Sequence, residues 1–374
     1  MARTALISDL HLGAGSRSDV LRRPAIRERL LEATEDVDRI VLLGDAIELR
    51  DLPLGVALQG SRTFFEALGE AFAGREVIIV PGNHDHRLLG PWLERSRDEE
   101  RPAELDELVD APHPAVRSLE GWLGEASLEI RYPGYWVRDD VYATHGHYLD
   151  SHVTLPTVER LSVAAVDRLG GLPTGRRSSP HDYEQVHAPV YDLIFSLAQG
   201  ARSGAPEDAK PAAMRIWELI GGASGRARTL QGRVLGSAVI PAALLGIERA
   251  GFGNFGRDFS TGEIGRAGVE AMHVVVERLA IDAEHVIFGH IHRRGALLSD
   301  DGRSAADPVW TRNGVTLHNP GNWLYVEALL GRAVPQSPFW PGSMIVVGDS
   351  GPPELRELLA DVDREVLAGR AGAD

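Results

Sequence analysis

Five short polar clusters combine carboxylate, imidazole and amide side chains: Asp9-x-His11, Gly44-Asp45-x-x-Glu48, Gly82-Asn83-His84-Asp85, His145-Gly146-His147 and Gly289-His290-x-His292. Each alone has an ordinary structural explanation. Asn and Asp satisfy turn backbones, and a Gly-Asp pair at a strand end commonly caps a helix. His-Gly-His and Gly-His-x-His are harder to assign to packing, because two imidazoles so close together rarely serve a core. As a set, the clusters offer oxygen and nitrogen donors without sulfur, since the chain has no cysteine. Such donors suit divalent Mn, Fe, Zn, Ni or Co. Asp45 has two oxygens and could bridge two ions, which in two-metal sites lie ~3.5–4 Å apart. Paired cations offset the charge of an anionic substrate and lower the pKa of a bound water, so the chemistry implied is hydrolysis.

The elements expected to carry these clusters alternate. Residues 5–8, 39–43 and 76–80 are short apolar runs that predict buried strands, and residues 24–34 and 61–72 have helical spacing. Pro24 suits a first helical turn, and Ser61 could cap the second helix. Strand–helix–strand repetition predicts parallel strands with right-handed crossovers. Each strand runs directly into a cluster, at the carboxyl end where open α/β sheets bind ligands.

Residues 95–118 are charged and proline-rich, which predicts a surface excursion. Residues 128–132, 135–137 and 141–144 predict a strand meander with Pro133-Gly134 as a turn. From 151 to 283 the chain turns mostly helical, at 154–169, 185–199 and 211–220, with 14 basic and 14 acidic residues. Strand spacing resumes at 285–288, 295–298, 315–317 and 344–347, and a helix over 353–367 is expected to close the chain. The organisation is an α/β core of residues 1–150 and 284–374, interrupted by a mainly helical insertion or cap of residues 151–283.

Composition narrows the function. Over 374 residues, 54 acidic against 39 basic side chains leave a net charge of −15. That field repels a phosphate backbone, so no stable nucleic-acid partner is expected. The opening residues MARTALISDL lack a signal-peptide pattern. The longest uncharged apolar run, 234–247, contains Gly236, Pro241 and Gly246. It falls short of the ~20 residues a transmembrane helix needs. A cytoplasmic protein without a transmembrane segment is expected.

In type and order, the five clusters resemble the pattern of the calcineurin-like metallophosphoesterase superfamily: D-x-H, G-D-x-x-[DE], G-N-H-[DE], a lone His after a strand, and G-H-x-H. The resemblance covers roughly residues 1–150 and 284–350, and every element is present in order. It implies a four-layer αββα sandwich with a helical cap and two divalent metal ions, manganese favoured. By the same resemblance, Asp9, His11, Asp45 and His292 would hold the first metal, and Asp45, Asn83, His145 and His290 the second. His84 would contact the scissile phosphate and protonate the leaving oxygen, with Glu48 orienting it. A hydroxide bridging the metals would attack phosphorus in line, cleaving a phosphomonoester, phosphodiester or pyrophosphate.

His145 is a better ligand candidate than His147, because it directly follows the strand 141–144. His147 would touch substrate phosphate or stand behind the ligands. Asp85 would cap its turn or support the site. Asn319-Pro320-Gly321-Asn322-Trp323 resembles a structural turn that follows Gly-His-x-His in the superfamily.

The insertion bears on substrate. Residues 226–257 hold five arginines against one acid, Glu248, around the apolar run. Arginine grips phosphate oxygens in a forked geometry, so a phosphate with an acyl tail would suit this segment. The pattern loosely resembles UDP-2,3-diacylglucosamine hydrolases. Those enzymes carry Arg where this chain has His84, and their insertion is shorter. The alternative is that 234–247 is a core helix of the insertion or a dimer interface, so a homodimer stays open. Residues 251–256 are expected to form a flexible turn. The expected partner is a small phosphorylated molecule, nucleotide- or lipid-linked. Two other functions compete with this one. A metal-dependent nuclease of the same superfamily needs a basic track that the acid excess opposes. A non-catalytic scaffold would have lost ligands, and none is lost here.

Overall fold

Four-residue apolar runs make the first three strands, β1 (Thr4–Ile7), β2 (Arg39–Leu42) and β3 (Glu76–Ile79), which lie parallel in that order. Between them run α1 (Pro24–Glu32) and α2 (Leu54–Ala71). The computed structural model describes residues 3–98, 104–152, 177–199, 261–296, 310–330 and 337–370. Helix α2 starts earlier than its spacing predicts, directly after Pro53, and Ser61 is buried inside it, donating to the Leu58 carbonyl at 2.8 Å rather than capping. The excursion after β3 holds α3 (Gly90–Asp98), β4 (Asp106–Leu108) and α4 (Val116–Leu123).

Strand β5 (Ser127–Arg138) joins the two halves of the sheet. Its first residues, Ser127 to Ile130, run parallel to β3, while Gly134 to Arg138 run antiparallel to β6 (Val141–Thr144). The expected turn at Pro133-Gly134 is therefore not a turn; one strand changes partners there. Proline has no N–H to give a ladder, which suits the point where one set of pairings stops and the next begins. Beyond β6, β7 (His285–Phe288) and β9 (Val315–His318) continue in parallel, with β8 (Thr311–Arg312) at the edge. On the other flank β10 (Ser343–Val347) pairs antiparallel with β1, and β11 (Glu354–Glu357) closes that edge. The full order is β11-β10-β1-β2-β3-β5-β6-β7-β9-β8, with β4 on β5.

Alternating side chains show how this sheet folds on itself. Leu6, Val41, Ile78 and Ile345 from one half share a buried cluster with Val141, Ala143 and Ile287 from the other. Their neighbours Ala5, Ile7, Ile40, Leu42 and Val77 face away, into the core shared with α1, α2 and α4. Strands apolar on both faces are what a sheet covered on both sides requires.

Of the span 151–283, α5 (Pro180–Gln199) and α6 (Thr261–Leu279) are described. Helix α6 packs Val269, Met272 and Val275 into the same core as Phe288 and Leu317. A parallel pair such as β6–β7 needs a crossover, and α6 leads into β7. The expected helices 154–169 and 211–220, and the segments 226–257 and 251–256, lie outside the described residues. So do residues 297 and 298 of the expected strand 295–298, of which Gly295 makes a single bridge to Asn319.

The closing helix expected over 353–367 is replaced by β11 and a short α7 (Arg364–Ala368). Strand β10 offers unpaired backbone groups at its edge, and pairing them outweighs the helical preference of Glu354–Glu357. Among the described residues no helix is long and apolar enough to cross a membrane.

Ile287 is fully buried between the two halves of the sheet. Truncation to Ala should lower stability by about 2–5 kcal/mol, seen as a lower denaturant midpoint.

Candidate metal centre

The first cluster follows β1, and its backbone extends a ladder to the second. Asp9 N donates to Gly44 O at 3.2 Å, His11 N to Asp45 O at 2.8 Å, and Glu48 N to Leu12 O at 3.0 Å. Two polar loops are thus held side by side beyond β1 and β2. The other clusters leave the carboxyl ends of β3, β6 and β7 and converge on the same place. Backbone geometry there is costly: Asp9, His11, Asp45, His290 and His292 have φ of 56°, 45°, 51°, 68° and 55°. Such left-handed conformations in non-glycine residues concentrate at functional sites. A side chain on Gly44 would run into the His145 ring, and one on Gly289 into Ser8 and Asp9, so both motif glycines leave room for their neighbours.

The site residues form three overlapping groups. Asp9, His11 and His292 make one, His11, Asp45 and His84 a second, and Asp45, His145 and His290 a third; within each group the donor atoms lie within 4.8 Å of one another. Asp45 Oδ2 stands 3.3 Å from His145 Nε2, 3.7 Å from His11 Nε2 and 3.9 Å from His84 Nε2. Asp9 Oδ2 accepts from Ser8 Oγ at 2.6 Å and His290 N at 3.0 Å, while Oδ1 lies 3.2 Å from His292 Nε2. One terminal atom of the Asn83 amide is 3.2 Å from each of Asp45 Oδ2, His145 Nε2 and His290 Nδ1, and the other is 2.6 Å from Arg50 Nη1. His84 and His292 each keep 24% of the side chain exposed, whereas Asp9 and His145 keep none, so the site opens on the side of those two rings.

Glu48 does more than orient His84. Its Oε2 accepts from Nδ1 of both His84, at 2.6 Å, and His11, at 2.9 Å. Each imidazole then carries its proton on Nδ1 and presents Nε2 to the cluster, the arrangement expected behind metal-binding histidines. Asp150, not singled out in the sequence, does the same for His290, accepting from Nε2 at 3.0 Å and leaving Nδ1 toward Asn83. Its only sequence signal is its position, five residues beyond His145. Asp85 is a turn anchor, accepting from Gly82 N at 2.7 Å and Ala46 N at 2.8 Å. Asn319 donates to Gly289 O at 2.9 Å and Asn322 to His292 O at 2.7 Å, so that turn braces the Gly-His-x-His backbone. His147 is buried with Nε2 3.1 Å from the Tyr132 hydroxyl, behind His145 rather than at the open face.

The electrostatics suit a cation. Burial favours the neutral acid at Asp45, but the surrounding imidazoles outweigh it and hold this carboxyl well below the usual range. Burial opposes charge on His11 and His145, yet the neighbouring carboxylates raise them to about 9 and about 10. Asp9 Oδ1 and His11 Nε2 are buried without a hydrogen-bond partner. Two orphaned donor atoms aimed into one cluster are what a bound cation would satisfy. The oxygen and nitrogen donors fit a divalent ion, so these groups could hold metal.

Two comparisons with known proteins bear on this geometry. The family model of the calcineurin-like phosphoesterases matches residues 2–222. That span holds Asp9, His11, Asp45, Glu48, Asn83, His84 and His145, and ends ahead of His290 and His292. No curated protein matches the chain.

Metal uptake must expel protons from His11 and His145, because a coordinating imidazole must be neutral. With those rings at about 9 and about 10, affinity for Mn²⁺ should rise steadily from pH 6 to about 9. Calorimetry in buffers of different ionisation enthalpy should show proton release. The sign reverses for the metal-free protein: raised histidines stabilise it below about pH 6.5, and that stability is lost as pH climbs through 9 to 10.

Proposed function

Because the chain belongs to the calcineurin-like phosphoesterase family and so is a metal-dependent enzyme acting on phosphoric ester bonds, we propose that its site is dinuclear and hydrolyses a small phosphorylated substrate. One cation would be held by Asp9, His11, Asp45 and His292, and the other by Asp45, Asn83, His145 and His290. The observation that carries this reading is the place of Asp45, whose Oδ2 lies 3.7 Å from His11 on one side and 3.3 Å from His145 on the other. Manganese is the favoured metal. When bound, the cations supply Lewis-acid charge to phosphate oxygens and lower the pKa of a water toward neutrality.

The chain's own groups do the rest. His84 stands at the open side with Nδ1 on Glu48, so its Nε2 can hold a proton and deliver it to the leaving oxygen. The Glu48 carboxylate, kept ionised by His84 and His11 against the effect of burial, fixes the orientation of that ring through Nδ1. Asp45 also holds the turn that presents Asn83 and His84, since His84 N donates to Asp45 Oδ1 at 2.8 Å. His147 backs His145 from inside the fold. The substrate is a monoester, a diester or a pyrophosphate, and an acyl tail is proposed from the arginines and apolar run of residues 226–257. A nuclease is disfavoured by the net charge of −15. The span 151–283 is proposed as the specificity element, with α6 anchoring it to the core.

With Mn²⁺, the protein should hydrolyse bis-p-nitrophenyl or p-nitrophenyl phosphate. Asp45→Asn should lower kcat by roughly 10²–10⁴-fold, since cations supply several kcal/mol of charge stabilisation. A wild-type protein that binds no divalent ion would sink the reading. His84→Asn should cost about 10²–10⁴-fold on substrates with alkoxide leaving groups and much less on p-nitrophenolate, which needs no proton. Equal losses on both would remove His84 as the acid.

A further inference from the structure

A second polar cluster lies behind the candidate centre, and none of its members belongs to the proposed ligand set. Its centre is Glu184 on α5. Oε2 accepts from His86 Nε2 at 2.9 Å, and Oε1 accepts from the Tyr148 hydroxyl at 2.8 Å and from the Tyr132 hydroxyl. The carboxylate is 3% exposed. Burial would push it toward the neutral acid, but His86 and the two tyrosine hydroxyls hold it at about 2.

Burying such a charge is a poor way to gain stability, because an apolar group of similar volume often does as well or better. What the charge does uniquely is fix the position of its donors. These come from three separate parts of the core: His86 just beyond the His84 turn, Tyr132 on β5, and Tyr148 just beyond His145. We propose that Glu184 is a positioning residue for the turn carrying Asn83 and His84, acting through His86; the proposal rests on the dinuclear reading above.

Two features of the surroundings support this role. Asp85 closes the turn, bonding back to Gly82 N and across to Ala46 N, but nothing in that closure sets where the turn sits relative to β6 and the insertion. Glu184 supplies that reference, gripping the next residue along. Helix α5 also reaches the same neighbourhood a second time. Tyr191 packs edge-on against His86 at 5.2 Å and lies under Arg50 at 5.9 Å. The Arg50 guanidinium is in turn 2.6 Å from the Asn83 amide. Asp192 pairs with Arg87 at 3.6 Å on the far side of His86. Asn83 and His84 are thus aligned from a helix that contributes no ligand itself.

The test measures Mn²⁺ binding by calorimetry together with kcat and KM on the chromogenic esters, in the full chain. Glu184→Ala should weaken Mn²⁺ binding at the Asn83 side and lower kcat by about 10–100-fold, with KM changed far less. Mn²⁺ binding at Asp9, His11 and His292 should be unaffected. Glu184→Gln keeps an acceptor for the tyrosines but turns an N–H2 toward His86 Nε2, so it should still lower kcat by about 10-fold; wild-type kcat and Mn²⁺ affinity in this variant overturn the proposal if the alanine variant does not fold. Tyr183→Phe, on the same helix as Glu184, removes a 2.7 Å bond to His152 just beyond Tyr148; it controls for loosening α5 and should leave kcat and Mn²⁺ affinity unchanged. Wild-type kcat and Mn²⁺ affinity in Glu184→Ala would overturn the proposal, whatever its melting temperature. So would equal losses in Tyr183→Phe. A wild-type protein with neither Mn²⁺ binding nor turnover would instead bring down the dinuclear reading on which the proposal stands.

Discussion

Three buried carboxylates, Asp9, Asp45 and Glu48, sit within a ring of imidazoles, of which His11 and His145 are buried and His84 and His292 stand at the open face. Charges removed from water are costly unless each finds an opposite charge and hydrogen bonds. Here the carboxylates find histidines, and two of these, His11 and His145, rise well above their usual pKa in return. The balance leaves donor atoms of Asp9 and His11 unsatisfied by protein. Much of the surrounding architecture serves to hold this unfinished electrostatic arrangement together, and a cation would complete it.

Holding it requires several strand ends to meet. Strands β1, β2 and β3 are parallel, and so are β6 and β7, so each set delivers its polar turns at one edge. Strand β5 brings the two sets together by pairing with both. The buried layer of Leu6, Val41, Ile78 and Ile287 fixes their separation. Close packing allows little slack, and the donor atoms inherit that rigidity.

The remaining precision comes from polar anchors outside the donor set. Asp85 staples the turn after β3 to the loop after β2, and Asn319 and Asn322 brace the backbone around His290 and His292. Glu48 and Asp150 set imidazole orientation through the nitrogen that faces away from the cluster. Strained backbone at Asp9, His11, Asp45, His290 and His292 is tolerated because these anchors over-determine it.

The carboxylate and imidazole residues that converge at the strand ends, the parallel strands before them and the α/β class were all legible in the sequence. Residue type and two-residue spacing at strand ends are local properties, and short apolar runs declare themselves without knowledge of their neighbours. The partner change within β5, the strand at 354–357 and the roles of Asp150, Arg50 and Glu184 were not legible. Each depends on a group far away in the chain. Pro133 looks like a turn until β3 and β6 are seen on either side, and residues 354–357 look helical until the open edge of β10 is present. Glu184 lies 98 residues from His86, and nothing local distinguishes it from any solvated glutamate on a helix. Local chemistry identifies which side chains can act. Only the tertiary fold decides which buried charges meet, because the energy that matters there is the desolvation of one group balanced by another that sequence distance hides.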